Sequence, residues 1–204
     1  MNIILIRHGE TPLNRARILQ PADTPLSELG QQQAAAMAQR LSREPISAIL
    51  SSDMTRAAQT ASPLAAELNL PIEFSTVLHE RNFGDLRGRR FSELGFDPMA
   101  ADYEPPNGES WTDFHKRVAD AFDLVIAKAA GQAETLAVVS HGLVIREMIK
   151  RHLSSVPPPD HMANTSVTVF SRQPPYEVSL LTCDNHIVEL MNNTAGVSGK
   201  GGLV

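Results

Sequence analysis

Residues 2–14 read NIILIRHGETPLN, four consecutive apolar side chains running directly into an arginine, a histidine and a glycine. Ile3 to Ile6 shows no polar alternation and is rich in β-branched residues, which suits a strand covered on both faces. The rest of the chain supplies the covers. Ser27–Arg43 places Leu29, Met37 and Leu41 among alanines and glutamines, with Ser27 as N-cap and Pro45 as stop, and predicts a helix. A strand is predicted at Ile46–Leu50, followed by a helix capped by Asp53 that runs through MTRAAQTASPLAAEL with a kink at Pro63. Ile72–Phe74 reads as another short strand, Trp111–Ala130 as a long amphipathic helix, Thr135–Val139 as a strand and Val144–Leu153 as a helix. SVTVFS and YEVSLLTC, joined at Gln173, Pro174 and Pro175, read as two final strands. Such alternation predicts an α/β fold, a three-layer α/β/α sandwich with a mostly parallel central sheet, whose ligands bind beyond the carboxyl ends of the strands. Leu78–Ser110, dense in Gly, Pro, Arg and Asp, reads as a cap inserted over those ends.

Composition narrows the function. At 204 residues, 42% hydrophobic and 20% charged, the chain is an ordinary globular sequence, expected to form one domain over 1–191. The Gly-rich segment 192–204 reads as a flexible tail; its GVSGKGG lacks the spacing and the strand–helix context of a P-loop. A net charge of −5 with 18 Lys plus Arg argues against a nucleic-acid platform, so any anion site must be local. Cys183 is the sole cysteine, which excludes an intrachain disulfide and a cysteine zinc cluster and fits a reducing cytosol. The N-terminal apolar run is broken too soon for a signal peptide, and no stretch approaches a membrane span, so a cytoplasmic location is expected and the Asn-x-Thr/Ser matches at Asn164 and Asn192 carry no glycan. Apolar strand edges leave a homodimer open.

Strand ends concentrate the chemistry. Arg7 and His8 end one buried strand, and Ser140 and His141 of AVVSHG end another; Gly9 and Gly142 follow the two histidines. If the strands are neighbours, both imidazoles face one crevice. Arg56 falls in the first turn of the helix after ILSSD, where free N–H groups and the helix dipole already favour an anion. Basic groups converging on one point repel unless a dianion joins them, and phosphate is the commonest biological group that fits. Taken singly, each has a plainer reading: His8 as a structural strand-end histidine, Arg56 as a solvated helix residue, Glu80 as an exposed loop carboxylate. His79, His115, His152, His161 and His186 are read as surface or packing residues.

Arg7-His8-Gly9-Glu10-Thr11, with Asn14 behind, resembles the signature of the histidine phosphatase superfamily, the phosphoglycerate mutase-like proteins. PLSELG from Pro25, SSDMTRAAQTA from Ser51, LHERNFGDLRG from Leu78, PNGES from Pro106 and SHG from Ser140 resemble further blocks of that family in the expected order. Pro21 after Gln20, and Leu143 after Gly142, depart from the glycines frequent at those places. The resemblance implies that His8 is a nucleophile carrying a phosphohistidine, that Arg7, Arg56 and His141 bind the phosphoryl oxygens, and that Glu80 gives and later takes a proton. Asn14, Gln20, Arg81, Gly142 and Leu143 would line the substrate site, and no metal or other cofactor is required. The expected partner is a small phosphorylated metabolite. FGDLRGRRFSEL resembles the phosphatase branch more than the phosphoglycerate mutases, so hydrolysis of a small monoester is expected over mutase-type transfer. Arg81, Arg87, Arg89 and Arg90 either grip a second anion or form a solvated face. A non-catalytic phosphate- or partner-binding module and a metal-dependent hydrolase built on His8 and His141 are the alternatives.

Overall fold

The computed structural model describes residues 2–153, 157, 159 and 162–181. Strand β1 (Asn2–Arg7) sits inside a six-stranded sheet, as its unbroken apolar run requires. The other strands are β2 (Ile46–Ser51), β3 (Ile72–Phe74), β4 (Thr135–Ser140), β5 (Val167–Ser171) and β6 (Val178–Leu181), in the spatial order β3-β2-β4-β1-β5-β6. β3, β2, β4 and β1 run parallel, whereas β5 pairs antiparallel with β1 and β6 with β5.

The side chains of β1 split between two cores. Ile3 and Leu5 pack with helices α4 (Trp111–Ala130) and α5 (Gly142–His152) through Phe114, Val118, Ile145 and Met148. Ile4 and Ile6 pack on the other face against α2 (Glu28–Leu41) and α3 (Thr55–Leu68) through Met37, Leu41, Ala61 and Leu64. Complete burial stabilises each such residue by about 1.5–3 kcal/mol relative to exposure. A one-residue slip in register would exchange the two sets of neighbours.

Chain reversal creates the crevice. From β1 the chain crosses to β2 on the far side of β4, and from β4 it crosses to β5 on the far side of β1. The switch point therefore falls between β1 and β4, whose ends are in register: Arg7 is paired with Ser140, and the His8 N–H donates to the Ser140 carbonyl at 3.0 Å.

Several local expectations are corrected. Met54, not Asp53, is the N-cap of α3, without a side-chain cap bond, because Asp53 is drawn into an ion pair with His79. As expected, α3 runs through Pro63 to Leu68. The polar loop after His8 contains a one-turn helix, α1 (Pro12–Arg15), closed by a capping box in which Thr11 Oγ1 accepts from the Asn14 N–H and Asn14 Oδ1 accepts from the Thr11 N–H. The cap is mostly irregular, with single 3₁₀ turns at Thr76–Leu78, Gly84–Leu86 and Phe91–Glu93. It has a small core of Leu19, Phe83 and Leu86, and backbone bonds from Gly88 to Leu19 and from Phe91 to Arg17 stitch it to the loop after α1. Segment 192–204 and Cys183 lie outside the described residues. No described helix is long and apolar enough to cross a membrane.

Candidate active site

Neighbouring strand ends bring the two histidines together, with ring centroids 5.2 Å apart. His8 is 2% exposed and His141 is fully buried. His8 Nδ1 lies 2.7 Å from the Gly9 carbonyl, which can only accept, so Nδ1 carries the proton and Nε2 holds the lone pair. Nε2 makes no hydrogen bond and is not among the fully sealed nitrogens, so the slight exposure of the ring reaches the nitrogen able to attack. Burial foremost, then the Arg7 and Arg56 guanidinium groups, hold His8 well below the ordinary imidazole pKa, and His141 is lowered in the same way by burial and then by Arg56.

The loop carrying His8 is fastened from all sides. The Gly9 N–H donates to Thr60 Oγ1 on α3, whose hydroxyl in turn donates to the Arg56 carbonyl. The Glu10 N–H donates to Gln33 on α2, and the amide of Asn164 donates to the His8 carbonyl. A Cβ on Gly30 would lie 2.0 Å from the Glu10 carbonyl oxygen, so only glycine lets α2 approach this loop so closely. Thr60, Asn164 and Ser52, which meets His141 Nε2 at 2.9 Å, escaped the sequence reading.

Both arginines anchor one end and leave another unpaired. Arg7 donates to the Met162 carbonyl, and Arg56 donates to the Pro21 carbonyl at 3.0 Å, so Pro21 shapes the site through its backbone. Burial brings the Arg56 pKa down to about 10. Arg7 Nε, Arg56 Nε and His141 Nδ1 are buried with no partner among the described residues. Each such polar group costs roughly 1–3 kcal/mol if left unmatched, and three in one place favour a ligand rich in acceptor oxygens.

Glu80 closes the site from the cap side. Its carboxylate accepts from the Arg81 N–H at 3.0 Å and from the Leu143 N–H at 3.3 Å. Those bonds and the two arginines favour ionisation, but burial outweighs them and raises its pKa above the usual carboxylate value. Glu109 and Arg117 brace the segment around it. They form a bidentate pair at 2.7 Å, while Arg117 also donates to the carbonyls of Val77 and His79 and Glu109 accepts from the Asn82 N–H.

A cavity of about 390 Å³ reaches this cluster. Its wall includes Arg7, Arg56, Glu80, Asn14, Gln20 and Arg81, together with Gly142 and Leu143, while the two imidazoles are set back from it. Gln20 accepts from Thr11 through Oε1, and its amide N–H groups make no bond to the described residues. Asn14 donates to Asn164. Arg81 lines the wall as expected, while its three guanidinium nitrogens donate to the carbonyls of Glu109, Pro98 and Tyr103 and its guanidinium carbon lies 3.8 Å from the Trp111 ring centre. It is a brace of the cap, not a free cation. Arg87, Arg89 and Arg90 are exposed and absent from the wall, and Arg90 pairs with Glu93. No metal-holding cluster of His, Cys, Asp or Glu occurs among the described residues.

A parallel-sheet switch point with two buried imidazoles, two guanidinium groups and a carboxyl whose proton affinity burial raises defines a site suited to phosphoryl chemistry. The sequence profile of the histidine phosphatase superfamily, branch 1, matches residues 3–184, and the chain belongs to that superfamily. Phosphoglycerate mutase-like protein 4 of Arabidopsis thaliana is 36% identical over 181 residues, covering 82% of this chain and 78% of that protein. A mycobacterial glucosyl-3-phosphoglycerate phosphatase complexed with VO3 matches with a TM-score of 0.77 at 27% identity, over 90% of this chain and 99% of its own. A mutant phosphoserine phosphatase from Entamoeba histolytica, in complex with phosphoserine, matches with a TM-score of 0.75 at 25% identity, over 90% and 97% of the two chains.

Proposed function

We propose that the protein hydrolyses small phosphate monoesters through a phosphohistidine on His8. The observation that carries this reading is the His8 ring, with Nδ1 tied to the Gly9 carbonyl and Nε2 left with its lone pair beside buried, partly unpaired cations. In the first step Nε2 bonds to phosphorus, the ester P–O bond breaks, and the Glu80 proton passes to the departing alkoxide. In the second, water attacks phosphorus, its proton goes to the Glu80 carboxylate, and the N–P bond breaks to release inorganic phosphate. Arg7, Arg56 and His141 hold the non-bridging oxygens throughout, and no metal takes part. Structural relatives that are phosphatases support hydrolysis.

Wild-type protein should therefore hydrolyse p-nitrophenyl phosphate equally well with and without EDTA. Rapid quenching should trap phosphate on the protein that is stable to alkali and lost in acid. Activity abolished by EDTA, or turnover without a trapped phosphoprotein, contradicts the reading. The likeness to a phosphoglycerate mutase-like protein supports a second outcome, in which a substrate hydroxyl replaces water. Incubation with one phosphoglycerate isomer separates the two, since hydrolysis yields inorganic phosphate and transfer yields the other isomer.

Arg117, which bonds the Val77 and His79 carbonyls just ahead of Glu80 and pairs with Glu109, acts on the reaction by positioning Glu80. Arg117→Gln should lower kcat for alkyl phosphates by about tenfold with little change in KM, and shift the alkaline limb of the pH profile. Arg117→Lys should recover part of the loss. General loosening of the fold would instead lower Tm and raise KM without moving that limb.

A further inference from the structure

Among the described residues five arginines line the cavity against a single acid, Glu80, and phosphoryl transfer at His8 uses only two of them. Arg7 and Arg56 belong to the phosphate end, and Arg81 is committed to cap carbonyls. Arg17 and Arg146 are left. Neither guanidinium makes a hydrogen bond or ion pair with a described residue, and Arg146 Nε is sealed from solvent without a partner. Glu147, the acid next to Arg146, turns away to His115, Lys150 and Arg151.

The placement is set by α5. Gly142, Leu143 and Arg146 all meet the cavity, Arg146 standing three and four residues beyond the other two and so on the same side of the helix. Gly142 packs against Arg7, a Cβ there falling 3.5 Å from Arg7 Nε. Arg146 starts about 6 Å farther along the helix axis, at a rise of about 1.5 Å per residue. The same wall carries the apolar side chains Leu19, Phe83, Met99 and Leu143. A ligand matching this surface carries a phosphate, a short body and a second anionic group.

The geometry points to Arg146, with Arg17 at the rim, as a subsite for a second anion, so that the preferred ligands are small phosphomonoesters bearing a carboxylate or another acidic group. The inference rests on the phosphatase reading for the orientation of the ligand, and specificity then comes from a helix arginine outside the phosphate-binding set. Charge-assisted, bidentate contact from a partly buried, unpaired guanidinium is the physical source of the preference.

The test uses two competitors of p-nitrophenyl phosphate hydrolysis, 3-phosphoglycerate and glycerol 3-phosphate, which differ by a carboxylate in place of a hydroxymethyl group. In the wild type the carboxylate-bearing compound should inhibit at a concentration roughly tenfold lower or better. In Arg146→Gln the ratio should fall to within about threefold, and Arg146→Lys should keep part of it. Equal inhibition constants in the wild type overturn the subsite, whatever the variant does to folding. If the wild type turns over no p-nitrophenyl phosphate, the phosphatase reading fails. The ligand dependence of Tm for the same two compounds, undisturbed by turnover, then decides the subsite: a selective shift with 3-phosphoglycerate supports it and equal shifts overturn it.

Discussion

His8→Ala should lower the turnover of p-nitrophenyl phosphate by at least ~10⁴-fold and leave no acid-labile phosphate on the protein. The magnitude follows from the division of labour in the site. Arg7, Arg56 and His141 can still hold a phosphate dianion in the variant, but no neighbouring atom supplies an in-line lone pair. His141 cannot substitute: Ser52 at 2.9 Å occupies its Nε2, and its unpaired Nδ1 is the N–H that would hold a phosphoryl oxygen, so no lone pair is free to attack. Phosphate binding should therefore survive, read as a Tm increase with added phosphate. Loss of activity together with loss of phosphate binding would point to a collapsed site instead of a missing nucleophile. Retained turnover would remove His8 from the reaction.

His8 and Glu80 are tuned in opposite directions for one purpose. An ordinary imidazole is protonated, and an ordinary carboxyl ionised, over much of the mildly acidic range, which is the wrong state for both. Burial lowers His8 and raises Glu80, so each moves toward the protonation state the first step needs. Above its lowered pKa His8 keeps its lone pair, and below its raised pKa Glu80 keeps its proton. Both shifts raise the fraction of molecules in which an unprotonated His8 and a protonated Glu80 occur together.

The sheet was legible because β1 and β4 carry apolar side chains on both faces, a pattern only a covered strand tolerates. The meeting of His8 and His141 followed from it, since both stand one residue past the ends of strands that turned out to be neighbours. Other features depend on contacts remote in sequence. Asp53 has the composition of a helix cap, and only the proximity of His79 draws it elsewhere. Arg81 looks like a ligand-binding cation until Trp111 and three carbonyls claim it. Arg146 reads as an ordinary helix arginine beside a glutamate, and its isolation becomes visible only when Glu147 is seen to face three other bases. Thr60 and Asn164 act through backbone groups, for which a sequence carries little signal. The capping box over Thr11–Asn14 had a readable spacing, but with asparagine in place of the usual glutamate or glutamine.

Glu80→Gln should divide the reaction by leaving group. An alkoxide cannot depart without a proton, so hydrolysis of alkyl phosphates should fall by about 10²–10⁴ and no phosphoenzyme should build up. p-Nitrophenolate needs no such help, so the first step on that ester should continue. The second step should then stall, because glutamine cannot take the proton from the attacking water. The expected record is a burst of about one equivalent of nitrophenolate per site, followed by slow turnover and a trapped phosphohistidine. The raised pKa of Glu80 adds a further mark: the alkaline limb of the alkyl phosphate profile, which reports loss of its proton, should vanish in the variant. The Arg81 N–H donates to Glu80 Oε1 and the Leu143 N–H to Oε2, so glutamine keeps one of these bonds and loses the other, and Tm should fall by no more than a few degrees. Alkyl phosphate turnover at the wild-type rate, or a variant that retains the alkaline limb, would transfer the proton-handling role to another group.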